Sequence, residues 1–117
     1  MNQIFHLESF QRAWLRKKAH HLKPVVSIGQ SGVSDAVEKA LVEALEHHEL
    51  VKVKLYELKD ERKDALEHLA QVTSSALVSI IGNVGIFYRP APIESERQFR
   101  IPTRPQNSKT AGESKYD

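Results

Sequence analysis

The sequence predicts an α/β fold, a two-layer sandwich on a four-stranded mixed sheet in the order α-β-α-β-α-β-β. Three observations lead there. Segments 34–48 and 60–72 repeat apolar residues at helical spacing; each lies between short runs rich in β-branched residues; and the last two runs are joined by a glycine–asparagine turn. Strands linked through helices favour parallel pairing and a tight turn imposes antiparallel pairing, so the sheet should contain both.

The first helix is expected from a Ser9 cap to about His20. Phe10, Trp14, Leu15 and Ala19 share one arc, and Arg12 and Arg16 project together one turn apart. Lys18 falls near the apolar arc, where its long stem can lie along the surface. Pro24 ends this region, and Val25, Val26 and Ile28 form a short strand. Ser34 followed by Asp35 signals the start of a helix running to about His48, with Val37, Ala40, Leu41, Ala44 and Leu45 inward.

From Leu50 to Tyr56 the chain alternates, Val51, Val53 and Leu55 against Lys52, Lys54 and Tyr56, as a half-buried strand does. Asp60 is the expected cap of a third helix to about Val72, turning Ala65, Leu66, Leu69 and Ala70 inward. The continuously apolar run Ala76 to Ile81 suggests a central strand. Gly82-Asn83-Val84-Gly85 reads as the turn into a last strand, Ile86 to Arg89, stopped by Pro90. One face of the sheet should be packed by the second and third helices, and the first helix should cover part of the other. Residues 1–90 therefore form one domain. From 91 to 117, Pro92, Pro102 and Pro105 and a thinning of apolar residues suggest a mildly basic, flexible tail.

Composition narrows the function. The 117 residues, 40% apolar and 27% charged, suit a single domain, and without cysteine there is no disulfide framework, thiolate zinc site or cysteine chemistry. No apolar run approaches a membrane span, and the first residues lack a basic region followed by an apolar stretch, so a soluble cytoplasmic protein is expected. The formal net charge of +2 is too small to indicate a nucleic-acid partner, but its distribution is uneven. Residues 1–24 carry Arg12, Arg16, Lys17, Lys18 and Lys23 against Glu8; residues 35–49 carry Asp35, Glu38, Glu43, Glu46 and Glu49 against Lys39. A basic side and an acidic side follow.

The stretch from Lys23 to Asp35 runs strand, glycine loop and helix start within a few residues. A GxxG loop leading into a helix N-terminus is how K-homology domains clamp a nucleotide backbone, because glycine permits close approach and the helix start offers unpaired amides. Gly29, Gln30, Ser31 and Gly32 make such a loop, and Arg12, Arg16, Lys17, Lys23, Lys52 and Lys54 come from segments able to flank it. Other chemistries lack support. His20-His21 and His47-His48 point about 100° apart on a helix with no ligand set around them. Ser27, Ser31 and Ser34 have no identifiable triad partners, the Walker lysine is missing, and Phe87 and Tyr88 do not make an RRM signature.

Four ordered motifs add a resemblance. Leu22-Lys23-Pro24-Val25-Val26, Gly29-x-x-Gly32-Val33-Ser34, Ala44-Leu45-Glu46-x-x-Glu49-Leu50-Val51-Lys52-Val53-Lys54, and Gly82 followed by Tyr88-Arg89-Pro90 together resemble the CRM domain, the chloroplast RNA splicing and ribosome maturation domain. The likeness extends from about residue 7 to 90 and is greatest to the small bacterial stand-alone members, the YhbY family. It implies a fold similar to the C-terminal domain of translation initiation factor three, RNA binding through the GxxG loop and neighbouring cations, and association with large-subunit ribosome precursors. Many relatives carry lysine inside the loop; with Gln30 and Ser31 this chain must draw its charge from elsewhere.

The expectation is thus a nonenzymatic, monomeric RNA-binding protein that contacts ribosomal RNA in 50S precursor particles, without cofactor, metal or membrane. The alternative is an interaction module whose acidic second helix docks a basic ribosomal protein or assembly factor.

Overall fold

The structure, a computed structural model, describes residues 6–56 and 60–103. Its elements are α1 (Ser9–Lys18), β1 (Val26–Ile28), α2 (Asp35–His48), β2 (Leu50–Leu55), α3 (Arg62–Val72), β3 (Ala76–Ile81) and β4 (Val84–Tyr88), followed by a single 3-10 turn, Glu94–Glu96. The four strands form one mixed sheet in the order β1-β2-β4-β3. β1 pairs parallel to β2, whereas β4 is antiparallel to both β2 and β3. This is the mixed four-stranded α/β architecture that the sequence predicts.

α2 and α3 pack on one face, where Leu41 and Leu45 of α2 and Leu66 and Leu69 of α3 meet Val53 and Phe87 of the sheet. α1 lies on the opposite face, its Leu15 against Leu50, Val78, Ile86 and Tyr88. The spacing that predicts α2 holds at Val37, Leu41, Ala44 and Leu45, but Ala40 turns to solvent, a position alanine tolerates without cost. Ser34 caps α2 as expected, its hydroxyl accepting the Val37 amide at 3.3 Å.

Several details differ from expectation. Glu8, not Ser9, precedes α1, because the Gln11 side chain reaches back to accept the Glu8 amide at 3.0 Å and fixes the entry one residue earlier. α3 begins at Arg62, with the Glu61 carbonyl rather than an Asp60 side chain holding its first turn. Lys18 lies over Trp14, its ammonium 5.1 Å from the ring centroid, which accounts for a cation beside the apolar arc. β3 is an edge strand, not a central one; α1 and α3 both contact it, so an edge position still needs apolar residues on both faces. The hairpin turn is Gly82-Asn83 alone, Gly82 taking a φ of 60°. Gly85 is instead inside β4, where a Cβ would meet both Leu66 methyl groups at 3.0 Å.

The packed chain continues past Pro90. Glu49 ends α2 with a φ of 62° and is only 2% exposed. Its carboxylate accepts the amides of Ala91 (3.1 Å), Gln98 (3.0 Å) and Phe99 (3.4 Å), so Glu49 belongs to no solvated acidic side. Phe99 stands edge-on to Trp14 with centroids 6.5 Å apart, and the Gln11 amide donates to the Pro102 carbonyl at 3.1 Å. Within the stretch expected as tail, Ala91, Gln98 and Phe99 are therefore anchored on Glu49, and Phe99 and Ile101 pack on the core that α1 covers, whereas Pro92 to Glu96 are exposed. Proline interrupts regular structure without preventing side-chain packing. The rest of the expected tail, Pro105 included, lies outside the described residues.

Candidate nucleic-acid interface

β1 brings the glycine loop to the C-terminal end of β2: Ile28 pairs with Leu55, and the Tyr56 amide donates to the Ile28 carbonyl at 2.8 Å. The loop itself is a tight turn in which the Gly32 amide donates to the Gly29 carbonyl at 3.0 Å. Gly32 has a φ of 74°, a conformation that favours glycine, and open space surrounds the position a Cβ would take on Gly29. Gln30 and Ser31 are exposed at the tip. The helix start that follows carries Asp35 and Glu38 in its first turn, so its positive dipole end is already partly offset.

Lys52 and Lys54 point to the α1 side of the sheet, as the alternation of β2 requires. The Lys52 ammonium donates to the carbonyls of Leu22 (2.9 Å) and His20 (3.3 Å), tying the segment after α1 to the sheet. Arg16 and Lys17 of α1 line the same cleft as Lys52. Lys54 is next along the strand, opposite Ser27 of β1, and its ammonium is 5.1 Å from the Tyr56 ring centroid. Among the described residues, Arg16, Lys17, Lys52 and Lys54 have no ion pair with a carboxylate, whereas Arg89 pairs with Glu46 at 3.8 Å. Four positive charges thus share one side of the sheet and lead toward the glycine loop.

Two of the residues singled out from the sequence are elsewhere. Arg12 lies across the outer edge of β3, donating to the carbonyls of Leu7 (3.2 Å), Leu77 (2.9 Å) and Val78 (3.4 Å). That edge is the farthest strand from β1, so Arg12 covers edge carbonyls and does not flank the loop. Lys23 precedes β1 and lines a small cavity of about 290 Å³ with Val25, Leu50 and Phe99, at the opposite end of β1 from Gly29. The cleft between α1 and the part of the sheet it leaves uncovered is also lined by Ala13 and His20 from the α1 side and by Ile81 and Val84 from the sheet, which the sequence does not mark as site residues. Their common side follows from the β3–β4 register and the α1 packing, neither of which periodicity supplies.

Tyr88, under α1, has its phenol pushed up to about 12 by burial, then by the Glu49 charge, against an opposing contribution from Arg97. It belongs to the packed core and not to the charged surface. Among the described residues no group of three or more histidine, aspartate or glutamate side chains is placed to hold a metal ion, and no helix is long and apolar enough to cross a membrane.

A small mixed-sheet α/β domain with a GxxG turn at one edge and a cationic face beside it defines a class compatible with polyanion recognition. Residues 7–89 match the CRS1 / YhbY (CRM) domain, and the chain belongs to that family. It is similar to "Probable RNA-binding protein YqeI" of Bacillus subtilis, with 38% identity over 93 residues, 79% of this chain and 95% of that one. It is also similar to a Haemophilus influenzae protein named "RNA-binding protein", 34% identical over 99 residues, 84% of this chain and 97% of that one. The solution structure of Staphylococcus aureus SAV1595 superposes with a TM-score of 0.73 at 31% identity, covering 83% of this chain and all of that one.

Proposed function

We propose that this chain is a nonenzymatic RNA-binding protein that contacts ribosomal RNA in precursors of the large (50S) ribosomal subunit. The observation that carries the reading is the continuity of Arg16, Lys17, Lys52 and Lys54 with the end of the sheet where Gly29 to Gly32 turn. Family membership and the names of the relatives support it. In this reading the cations hold the phosphates. The loop contributes shape and backbone amides, because Gln30 and Ser31 carry no charge.

Crosslinking in cells, followed by sequencing of the bound RNA and sedimentation of the same extract, tests it. The expected result is ribosomal RNA as the crosslinked species and co-migration with large-subunit precursors. Absence from those particles, with crosslinks to unrelated RNAs, would remove the ribosomal part of the proposal. The loop assignment has its own test: Gly32→Asp should weaken RNA binding while preserving the circular dichroism spectrum.

A second reading has the exposed Asp35, Glu43 and Glu46 of α2 docking a basic ribosomal protein or assembly factor. Charge reversal at Glu38, Glu43 and Glu46 would abolish partner capture in that case and spare RNA binding in the first.

A further inference from the structure

The side of the sheet left uncovered by α1 is a cleft as well as a charged surface. Its volume is about 690 Å³, within the ~300–1,000 Å³ typical of ligand sites. Ile81, Val84 and Ile86 supply an aliphatic floor, Ala13 adds to its apolar wall, and Arg16, Lys17 and Lys52 supply the charge. Ile81 is 53% exposed although it is in a strand, and at the loop end Tyr56 is 49% exposed with the Lys54 ammonium beside its ring. Among the described residues no carboxylate lines the cleft, so the charge they place there complements a polyanion.

Apolar floor and cationic walls together constrain which polyanion fits. A paired helix offers phosphates and sugars to such a surface but keeps its base faces stacked inside, so Ile81, Val84 and Tyr56 would gain no base contact from it. An unpaired strand offers phosphates and base faces at once, and aromatic or apolar side chains beside cations are how proteins hold it. Resting on the RNA-binding reading above, we propose that this cleft seats unpaired bases and that the ligand is a single-stranded RNA segment. One base enters against Ile81 and Val84, a neighbouring base stacks on Tyr56, and the backbone between them follows Arg16, Lys17, Lys52 and Lys54 toward the glycine loop.

Fluorescence anisotropy of the full chain tests this, with a labelled mixed-sequence oligoribonucleotide presented alone and annealed to its complement at one salt concentration. The free strand should bind about tenfold more tightly than the duplex. Tyr56→Ala and Ile81→Ser alter exposed side chains and should each weaken strand binding about tenfold while leaving duplex binding unchanged. Equal affinity for strand and duplex, or wild-type strand binding by both variants, overturns the proposal and leaves the RNA-binding reading intact. No binding of either RNA by the wild-type protein overturns the reading itself. A labelled oligo-glutamate peptide is the remaining arm: its capture by the wild type and loss in Ile81→Ser, with RNA binding retained, would assign the cleft to an acidic protein segment instead.

Discussion

Replacing Glu49 by glutamine removes one charge from the place where α2, β4 and the C-terminal segment meet. In the native arrangement one carboxylate oxygen accepts the Gln98 and Phe99 amides and the other accepts Ala91. The glutamine carbonyl can serve one of these sites; its amide group then faces an N–H donor at the other. With the carbonyl kept on the Gln98 and Phe99 side, the Ala91 amide loses its acceptor, at about 1–3 kcal/mol, and the two remaining bonds lose their charge assistance. Detachment of the segment sets a ceiling. It would expose the partly buried Phe99 and Ile101, and full burial of such side chains is worth ~1.5–3 kcal/mol each. A loss of about 2–3 kcal/mol is therefore expected. Urea denaturation followed by the fluorescence of Trp14, the single tryptophan and the ring that Phe99 touches, measures it. Hydrogen exchange locates it, with the Gln98 and Phe99 amides losing more protection than Val53 or Phe87. Unchanged stability with undiminished protection at Gln98 and Phe99 would refute the role assigned to Glu49.

Four further outcomes follow from the same packing. Truncation after Pro90 removes the partners of the Glu49 carboxylate and the Phe99 contact to Trp14, so the shortened chain should unfold at lower urea than the full chain. Tyr88 keeps its proton more firmly in the folded state, with a pKa near 12 against 10.0, so its contribution is complete below pH 10 and is lost as pH rises toward 12. That loss, up to about 2–3 kcal/mol, should be missing from Tyr88→Phe in paired denaturation curves across the window. Glu49→Gln should lower the Tyr88 pKa while burial keeps it above 10.0, as read by the phenolate absorbance. Gly85→Ala forces a methyl group against the fully buried Leu66 and should cost about 1–3 kcal/mol by thermal or urea denaturation, with RNA affinity retained.

The sequence discloses the elements well where one side chain pattern has one physical meaning. Alternation from Leu50 to Tyr56 places Lys52, Lys54 and Tyr56 on a common side, and the 3.6-residue period of α2 identifies Leu41 and Leu45 as core. The glycine spacing likewise marks a real turn, with Gly32 at positive φ. Long-range partners are less visible. Arg12 and Arg16 are one turn apart and look equivalent, yet α1 sets the first on the β3 edge and the second over the open sheet. Glu49 reads as one more acid of α2 because its three acceptor contacts come from residues 42 to 50 positions later. The edge position of β3 is hidden for a related reason, since strand order depends on which hairpin partner joins β2 and not on how apolar a strand is.

The central claim is that Arg16, Lys17, Lys52 and Lys54 act together on RNA phosphates, and the salt dependence of binding tests it most directly. Four neutralised phosphates on a single strand give a slope of about −2.8 in a plot of log affinity against log salt, at ~0.7 per phosphate. Lys54→Ala should bring that slope to about −2.1, whereas Lys63→Ala, in α3 on the far side of the sheet, should leave it unchanged. Affinity indifferent to salt, or equal effects of the Lys54 and Lys63 substitutions, would contradict the account.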